Sequence, residues 1–210
     1  MSKVVVFDVD GTLFDTKPGI IKALNEVLNN FGIEFINPSD EDKWIGPPVR
    51  NSFISYAGMN AEQAEDATRK YRKIYTEKYI TESVLYDGMN EVLGKLKTAG
   101  YHLCIATMKT QGQMERLLSI KNMSNAFEIV QTAALDGAKS KADMLVLIKS
   151  KYSADSQFYM IGDTMGDYEA AKKVDYKFLA ITYGYGEFLK LNSNIRRIKK
   201  SFELLKFLEE

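Results

Sequence analysis

The stretch Val4-Val5-Val6-Phe7-Asp8-Val9-Asp10-Gly11-Thr12 joins an unbroken apolar run to two closely spaced acidic residues. Residues 4–7 are β-branched or aromatic, with no alternation of polar and apolar side chains. This pattern is typical of a strand that is covered on both faces in a parallel sheet. Open α/β sheets bind ligands beyond the carboxyl ends of their strands, so the acidic residues after this run are the first candidates for a functional site.

Similar apolar runs recur later in the chain and alternate with helical patterns. The runs cover residues 102–107, 127–131, 157–161 and 178–182, and the helical patterns cover residues 90–99, 113–118, 141–150 and 167–174. Alternation of strand and helix is the pattern of a doubly wound α/β domain. The sequence therefore predicts an α/β fold with a Rossmann-like parallel sheet.

The interval between the first two predicted strands is far longer than one crossover helix requires. Thr16 is a candidate N-cap for an apolar stripe that runs from Ile20 to Leu28, and residues 61–80 form a long second helical pattern. The Gly- and Pro-containing segment 44–48 must be a turn or loop, with Trp44 in the interior of the inserted part. These features predict a helical insertion.

We place the boundaries of the insertion where the helical patterns begin and end. The predicted cap covers residues 16–82, and the predicted catalytic core combines residues 1–15 with residues 83–210. A cap of this kind would close over a bound substrate and exclude bulk water.

Composition excludes several classes of protein. Of the 210 residues, 45% are hydrophobic, and 28 Lys and Arg residues match 28 Asp and Glu residues, so no net field would attract nucleic acid or an anionic membrane. The run at residues 4–7 is too short for a signal peptide or a membrane span. The lone Cys104 fits a small buried hydrophobe in a reducing compartment. We expect a cytoplasmic monomer or small homo-oligomer.

Asp8 and Asp10 form the first candidate functional pair. Because side chains alternate along extended chain, both carboxylates can project to the same side. Their repulsion is costly unless a cation or a proton offsets it, so the pair indicates a metal site or an acid/base couple. Taken alone, it fits equally well two acidic residues that cap a loop or a helix.

A second acidic pair, Asp163 and Asp167, follows the predicted strand at residues 157–161 and leads into a helix. With the first pair it would form an oxygen-rich shell suited to Mg²⁺, a hard cation that accepts carboxylate, water and phosphate oxygens. The alternative is that Asp167 simply caps the helix that follows. We favour the metal shell because both acidic pairs fall at strand ends.

Two more polar residues have positions suited to phosphate binding. Thr107 ends the predicted strand at residues 102–107, and Lys141 opens a helix. A hydroxyl and a positive charge are what a phosphoryl group requires. Neither residue is informative in isolation, since a strand-end Thr usually makes local contacts and a Lys is usually solvated.

Taken in order, these residues resemble the four motifs of the haloacid dehalogenase superfamily. The matching segments are Asp8-Val9-Asp10-Gly11-Thr12-Leu13, Thr107, Lys141, and Gly162-Asp163 with Asp167. The resemblance spans the whole chain, and its first motif is the most specific. The insertion is similar to the helical C1-type cap of the phosphoglycolate phosphatase and 5′-nucleotidase-like branch. The resemblance implies a Mg²⁺-dependent phosphatase that acts on a small phosphate ester, such as phosphoglycolate or a nucleoside monophosphate.

The resemblance also implies a role for each matched residue. Asp8 would attack phosphorus and form an aspartyl-phosphate, while Asp10 would protonate the leaving oxygen and later activate water. The metal ligands would be Asp8, the backbone carbonyl of Asp10, and Asp163, with Asp167 supporting the shell. The phosphate ligands would be Thr107, the backbone after it at Met108, and Lys141.

Two residues bear on substrate choice. Met108 stands where relatives often carry Ser or Asn, and because the contact there uses the backbone N–H, we expect it to tune substrate fit. Residues 45–50 resemble a cap loop that faces the active site in relatives. Arg50 is therefore a candidate ligand for a substrate carboxylate or second phosphate. A solvated arginine at a helix start is an equally good interpretation.

Other functions remain open or are disfavoured. A phosphosugar mutase of the β-phosphoglucomutase type would use the same Asp8 and Asp10. A phospho-accepting signalling module of the receiver type is disfavoured, because its acceptor follows a later strand and it lacks a long insertion. Residues 184–186 lack the full glycine fingerprint of a nicotinamide site, and Lys139 lacks the glycine pattern of a P-loop. His102, at a strand start, is expected to be structural.

Overall fold

A six-stranded sheet lies at the centre of the computed structural model, which describes residues 2–134, 139–186, 188 and 194–209. In spatial order, its strands are β5 (Ile129–Ala133), β4 (Tyr101–Thr110), β1 (Lys3–Phe7), β6 (Gln157–Gly162), β7 (Lys177–Ile181) and β8 (Arg197–Ile198). Every pairing within this sheet is parallel, so the carboxyl ends of the strands share one edge. The predicted doubly wound α/β fold is confirmed.

Helices cover both faces of the sheet. They are α4 (Met89–Thr98), α5 (Gln111–Ile120), α6 (Lys141–Lys149), α7 (Met165–Lys173) and α8 (Glu203–Glu209). Val5 and Phe7 pack into a core on one face, and Val4 and Val6 pack into a second core on the other. The unbroken apolar run of β1 is therefore explained by burial on both sides.

The long interval between β1 and β4 is helical, as its pattern predicts. It contains α1 (Lys17–Asn30), a 3₁₀ helix (Pro38–Trp44), α2 (Val49–Ala57), α3 (Ala61–Ile74), a π-helical turn (Tyr75–Tyr79) and a second 3₁₀ turn (Ile80–Glu82). The chain enters and leaves the inserted helices through two adjacent short strands, because β2 (Phe14–Asp15) pairs antiparallel with β3 (Val84–Leu85). The division into a cap at residues 16–82 and a core stays a prediction.

Two local expectations for the insertion need correction. Thr16 does occupy the N-cap position of α1, but its side chain makes no capping hydrogen bond and contacts Asp10 instead. The helix expected over residues 61–80 stays α-helical only to Ile74 and then widens into the π-helical turn. Trp44 is buried beside Phe53, with ring centroids 5.9 Å apart, as expected for an interior residue.

Several remaining expectations concern residues outside the acidic clusters. Cys104 is fully buried, and His102 Nδ1 lies 2.8 Å from a carboxylate oxygen of Glu128 in a local contact. Arg197 and Ile198 form β8, a short strand that the sequence pattern does not predict. Within the described residues, the chain has no helix long and apolar enough to cross a membrane.

Candidate active site

Three carboxylates meet at the carboxyl edge of the sheet. Asp8 directly follows β1, Asp163 directly follows β6, and Asp167 lies in the first turn of α7. All three are buried, and their ligand oxygens lie within 4.8 Å of one another. The backbone N–H of Asp8 donates to the carbonyl of Ile161 at 2.9 Å, which holds the ends of β1 and β6 together. The expected meeting of the two acidic pairs is thus realised by three of the four side chains.

Lys141 supplies a positive charge to this cluster. It is the first residue of α6, and the side chain of Ser140 caps that helix by accepting from the backbone N–H of Asp143. Lys141 Nζ lies 2.8 Å from Asp8 Oδ1 and 2.5 Å from Asp167 Oδ1. Burial alone would lower the pKa of Lys141, but the two carboxylates hold it above its usual value.

One ammonium group against three carboxylates leaves the cluster short of positive charge. The pKa of Asp8 is raised to about 7, mainly by burial and also by the carboxylates of Asp167 and Asp10, against the lowering effect of Lys141. Burial also raises the pKa of Asp163 well above its ordinary value, with Asp167 and Asp8 adding to the effect. A cluster that resists ionisation in this way is stabilised by an added cation, and its all-oxygen donor set suits a hard divalent metal.

The N-cap of α7 is Thr164, and Asp167 completes the capping box while also belonging to the group of three carboxylates; its part in a metal shell stays a prediction. Its Oδ2 accepts from the backbone N–H of Thr164 at 3.0 Å and from the Thr164 hydroxyl at 2.7 Å, within a capping box at the start of α7. Its Oδ1 faces Lys141. The capping box of α7 therefore fixes the orientation in which Asp167 Oδ1 meets the cluster.

Asp163 is held by surrounding backbone and a hydroxyl. Thr12 Oγ1 donates to Asp163 Oδ1 at 3.1 Å, and the backbone N–H of Tyr185 donates to Oδ2 at 2.8 Å. A Cβ atom at Gly11 would overlap Asp163 Oδ2, and one at Gly184 would lie 2.5 Å from the same oxygen. Glycine at these two positions lets the backbone approach the carboxylate closely.

The side chain of Asp10 lies outside the group of three. Its Oδ1 accepts from the Thr16 hydroxyl at 2.5 Å and lies 2.8 Å from Lys109 Nζ. The backbone carbonyl contact that the family resemblance implies for Asp10 stays a prediction.

The end of β4 carries the expected phosphate ligands. Thr107 is fully buried, and its Oγ1 accepts from the backbone N–H of Lys109 at 3.2 Å. The pairing of β4 with β5 shifts register between Thr107 and Thr110. Thr107 and Met108 therefore stand in the irregular last part of β4, next to the end of β1 that Asp8 follows, because β4 and β1 are neighbours.

Two cavities flank this edge of the sheet and share Met108 in their walls. The first, of about 510 Å³, is lined by residues that include Asp10, Lys109, Tyr71 and Arg50. The second, of about 790 Å³, is lined by residues that include Lys141 and Pro47. Arg50 Nε lies 3.0 Å from Glu65 in a partly exposed ion pair, so both interpretations of Arg50 stay open.

Comparison with known proteins places this geometry in a family. Residues 5–181 match the model of the haloacid dehalogenase-like hydrolases. The chain belongs to this family. The resemblance inferred from the ordered motifs is thus confirmed.

Individual relatives of the chain carry several names. The tyrosine-protein kinase PtkA of Mycobacterium tuberculosis is 30% identical over 186 residues, which cover 88% of this chain and 63% of PtkA. The 5′-nucleotidase of Pseudomonas aeruginosa is 28% identical over 87% of this chain and 83% of its own length. The phosphoglycolate phosphatase of Aquifex aeolicus is 29% identical, covering 92% and 89%. The chain therefore spans under two thirds of PtkA and most of the other two.

The fold of the chain also matches a solved structure along its whole length. A predicted phosphatase from Clostridium acetobutylicum superposes with a TM-score of 0.89 at 32% identity, covering 100% of both chains. The likeness extends to the insertion as well as to the sheet.

Two contributors to the site could not be found from the sequence. Lys109, next to Met108, could not be recognised, because lysine side chains are rarely buried and no sequence pattern marks the buried ones. Tyr185 lies in the glycine-flanked segment 184–186, whose pattern indicates no role for its side chain. Its hydroxyl accepts from the backbone N–H groups of Thr16 and Lys17, at 2.7 and 2.9 Å, and so takes over the capping of α1.

Proposed function

We propose that the chain is a Mg²⁺-dependent phosphatase that hydrolyses a small phosphorylated metabolite through an aspartyl-phosphate on Asp8. Phosphoglycolate and nucleoside monophosphates are the first candidate substrates, in line with the names of two relatives. The observation that carries the proposal is Lys141, which is only 12% exposed and contacts Asp8 and Asp167 within a cluster of three carboxylates. That arrangement suits an anionic nucleophile that must approach an anionic substrate.

The carboxylates of Asp8 and Asp163, together with the backbone carbonyl of Asp10, would hold the metal, and Asp167 would support them. The donors fit Mg²⁺, because they are all oxygen and the cluster is short of positive charge. A bound Mg²⁺ supplies charge neutralisation for the phosphoryl group.

The residues of the chain divide the remaining work. Asp8 forms the bond to phosphorus, and Lys141 offsets the charge that builds up between the carboxylate and the phosphoryl oxygens. The Thr107 hydroxyl and the backbone N–H of Met108 bind those oxygens. Lys141 also contacts Asp167, whose side chain is fixed by the capping box at the start of α7. This contact holds the ammonium group in place before substrate binds.

Asp10 serves the leaving group. Asp10 lines the cavity of about 510 Å³, whereas Lys141 lines the cavity of about 790 Å³. The leaving group of the substrate therefore belongs in the first cavity. There Asp10 gives a proton to the leaving oxygen and later takes one from the hydrolytic water. The cavity volume falls in the range of small-ligand sites. Residues 16–82 form the cap that closes this side, over a core of residues 1–15 and 83–210.

The test is phosphate release from a panel of esters with Mg²⁺, comparing kcat/KM for phosphoglycolate with that for nucleoside monophosphates. Asp8→Asn should abolish turnover, and acid quenching of the wild-type enzyme should trap a phosphorylated Asp8 that mass spectrometry detects. Asp175→Asn is the matched control, since Asp175 is exposed and lies outside the group of three carboxylates. Turnover that survives Asp8→Asn would exclude the mechanism.

A further inference from the structure

Lys109 is a buried cation that the proposed chemistry leaves unused. Its side chain is 4% exposed, and its Nζ lies 2.8 Å from Asp10 Oδ1 and 3.1 Å from the hydroxyl of Tyr75. The same ammonium group lies 4.5 Å from the centre of the Tyr75 ring. Burying an ammonium group is costly unless its partners are well placed, so this arrangement is a specific feature of the site.

The irregular end of β4 explains how a lysine reaches this position. The register of the pairing with β5 shifts between Thr107 and Thr110, and the backbone N–H of Lys109 turns onto Thr107 Oγ1. Such irregularities re-aim side chains at the edges of sheets. Here both Thr107 and Lys109 are buried. Thr107 is expected to face the substrate phosphate, and Lys109 contacts Asp10.

Tyr75 reaches the same point from the helical insertion. It is fully buried and opens the π-helical turn that interrupts the helix begun by α3, and its hydroxyl lies 3.3 Å from Ser83 Oγ. π-helical turns are rare and often occur at functional sites. The contacts from Asp10 through Lys109 to Tyr75 thus connect the strand ends of the sheet with the insertion.

Both partners of Asp10 use the same oxygen. The Thr16 hydroxyl and Lys109 Nζ contact Oδ1, and no hydrogen bond from the described residues is made to Oδ2. Asp10 also lines the cavity assigned to the leaving group. Holding one oxygen of a carboxyl group leaves the other directed to a ligand.

We propose that Lys109, held by Tyr75, is a positioning residue that orients Asp10 for proton transfer to the leaving group. This inference rests on the proposed phosphatase function. In the step concerned, a bond forms between Asp8 and phosphorus, and the bond from phosphorus to the leaving oxygen breaks. The proton of Asp10 goes to that oxygen, which leaves as an alcohol, and Lys109 faces the carboxylate that remains on Asp10.

The test compares two phosphate esters that differ in their need for that proton. An alkyl phosphate has a poor leaving group and depends on the acid, whereas p-nitrophenyl phosphate has a good one and does not. The quantity measured is kcat/KM, which covers the steps up to formation of the phosphoenzyme. Lys109→Met should lower kcat/KM for the alkyl ester by about 10- to 100-fold, and for the aryl ester by about threefold or less.

Two more variants refine the test. Tyr75→Phe should lower the alkyl-to-aryl ratio in the same direction by a smaller factor, and Lys109→Arg should recover part of it. Tyr79→Phe is the matched control, because it removes a hydroxyl from the same turn whose partner is Glu26 and should leave the ratio unchanged. The ratio is measured on one preparation, so a misfolded fraction cancels from it.

The outcomes separate the inference from the function on which it rests. An equal fall for both esters in Lys109→Met would overturn the positioning role while leaving the phosphatase intact. A wild-type enzyme that hydrolyses neither ester with Mg²⁺ would overturn the proposed function, and the inference with it.

Discussion

Lys141 Nζ lies 2.8 Å from Asp8 Oδ1 at the carboxyl edge of the sheet, where the Asp8 side chain is 7% exposed and that of Lys141 is 12% exposed. The contact joins the first residue of α6 to the residue after β1, two elements far apart in sequence. It is the point at which a positive charge enters a cluster of three carboxylates. The stability of the site and its reactivity towards an anion should therefore depend on the same ammonium group.

The first prediction concerns removal of that charge. Lys141→Ala should lower kcat/KM by about 100-fold or more, since electrostatic stabilisation by one well-placed donor has that magnitude. It should also lower the free energy of unfolding by about 3 kcal/mol, because it leaves buried carboxylates uncompensated. Lys151→Ala, just beyond the same helix and exposed, is the control. Unchanged kcat/KM in Lys141→Ala would remove the lysine from the mechanism.

The second prediction is the pH dependence of stability without divalent metal. Burial raises the pKa of Asp8 from 3.8 to about 7 in the folded chain. Between these values the folded protein keeps a proton that the unfolded chain has lost, so the free energy of unfolding should fall as pH rises. The raised pKa of Asp163 acts in the same direction. A loss on the order of 4 kcal/mol is expected across this window.

Chemical denaturation in the presence of a chelator, at about pH 5 and about pH 7, measures this effect. Asp8→Asn has no proton to lose at this position, so its stability should vary less with pH and should exceed that of the wild type at the upper value. A wild-type stability that rises across the window would contradict the assignment.

Local sequence pattern predicted the positions of the residues that follow regular elements. Asp8 and Asp163 come directly after strands whose apolar runs are unmistakable, and Lys141 follows a serine cap. Because parallel strands align their carboxyl ends, the sequence also predicted that these groups meet. Asp167 shows the limit of such reasoning, since capping and cluster membership looked like alternatives and the side chain does both.

The contacts around Asp10 could not be predicted from the sequence. Lys109 is turned inward by a register shift in β4, and Tyr75 is placed by a π-helical turn, and neither irregularity has a residue signature. Tyr185 caps α1 from a loop that follows β7, a contact that depends wholly on tertiary structure. Patterns of local periodicity carry no information on such long-range side-chain contacts.

The third prediction concerns binding of the metal. Mg²⁺ should raise the free energy of unfolding, by about 2.7 kcal/mol at a hundredfold excess over its Kd, because it binds the folded cluster alone. Chelation should abolish turnover and added Mg²⁺ should restore it. Asp163→Asn should remove most of the Mg²⁺-dependent stabilisation. Asp155→Asn, on an exposed turn, should retain it. Equal stabilisation of the two variants would place the ion elsewhere.

The fourth prediction tests the close approach of backbone to Asp163. Gly184→Ala would place a Cβ atom 2.5 Å from Asp163 Oδ2, with the carbonyl oxygen of Gly11 also in its way. The carboxylate or the loop must therefore shift. Since a misplaced ligand weakens a metal site, we expect the Kd for Mg²⁺ to rise about tenfold or more. Titration of the Mg²⁺-dependent change in thermal stability measures it.

Gly94→Ala is the matched control for this substitution. Gly94 lies within α4, and a Cβ atom there meets nothing within 4 Å. Alanine in a helix interior should raise the free energy of unfolding by about 1 kcal/mol and leave the Kd for Mg²⁺ unchanged. If Gly184→Ala behaved in the same way, the loop would accommodate the added methyl group. The geometry around Asp163 would then have to be held by Thr12 and the Tyr185 N–H alone.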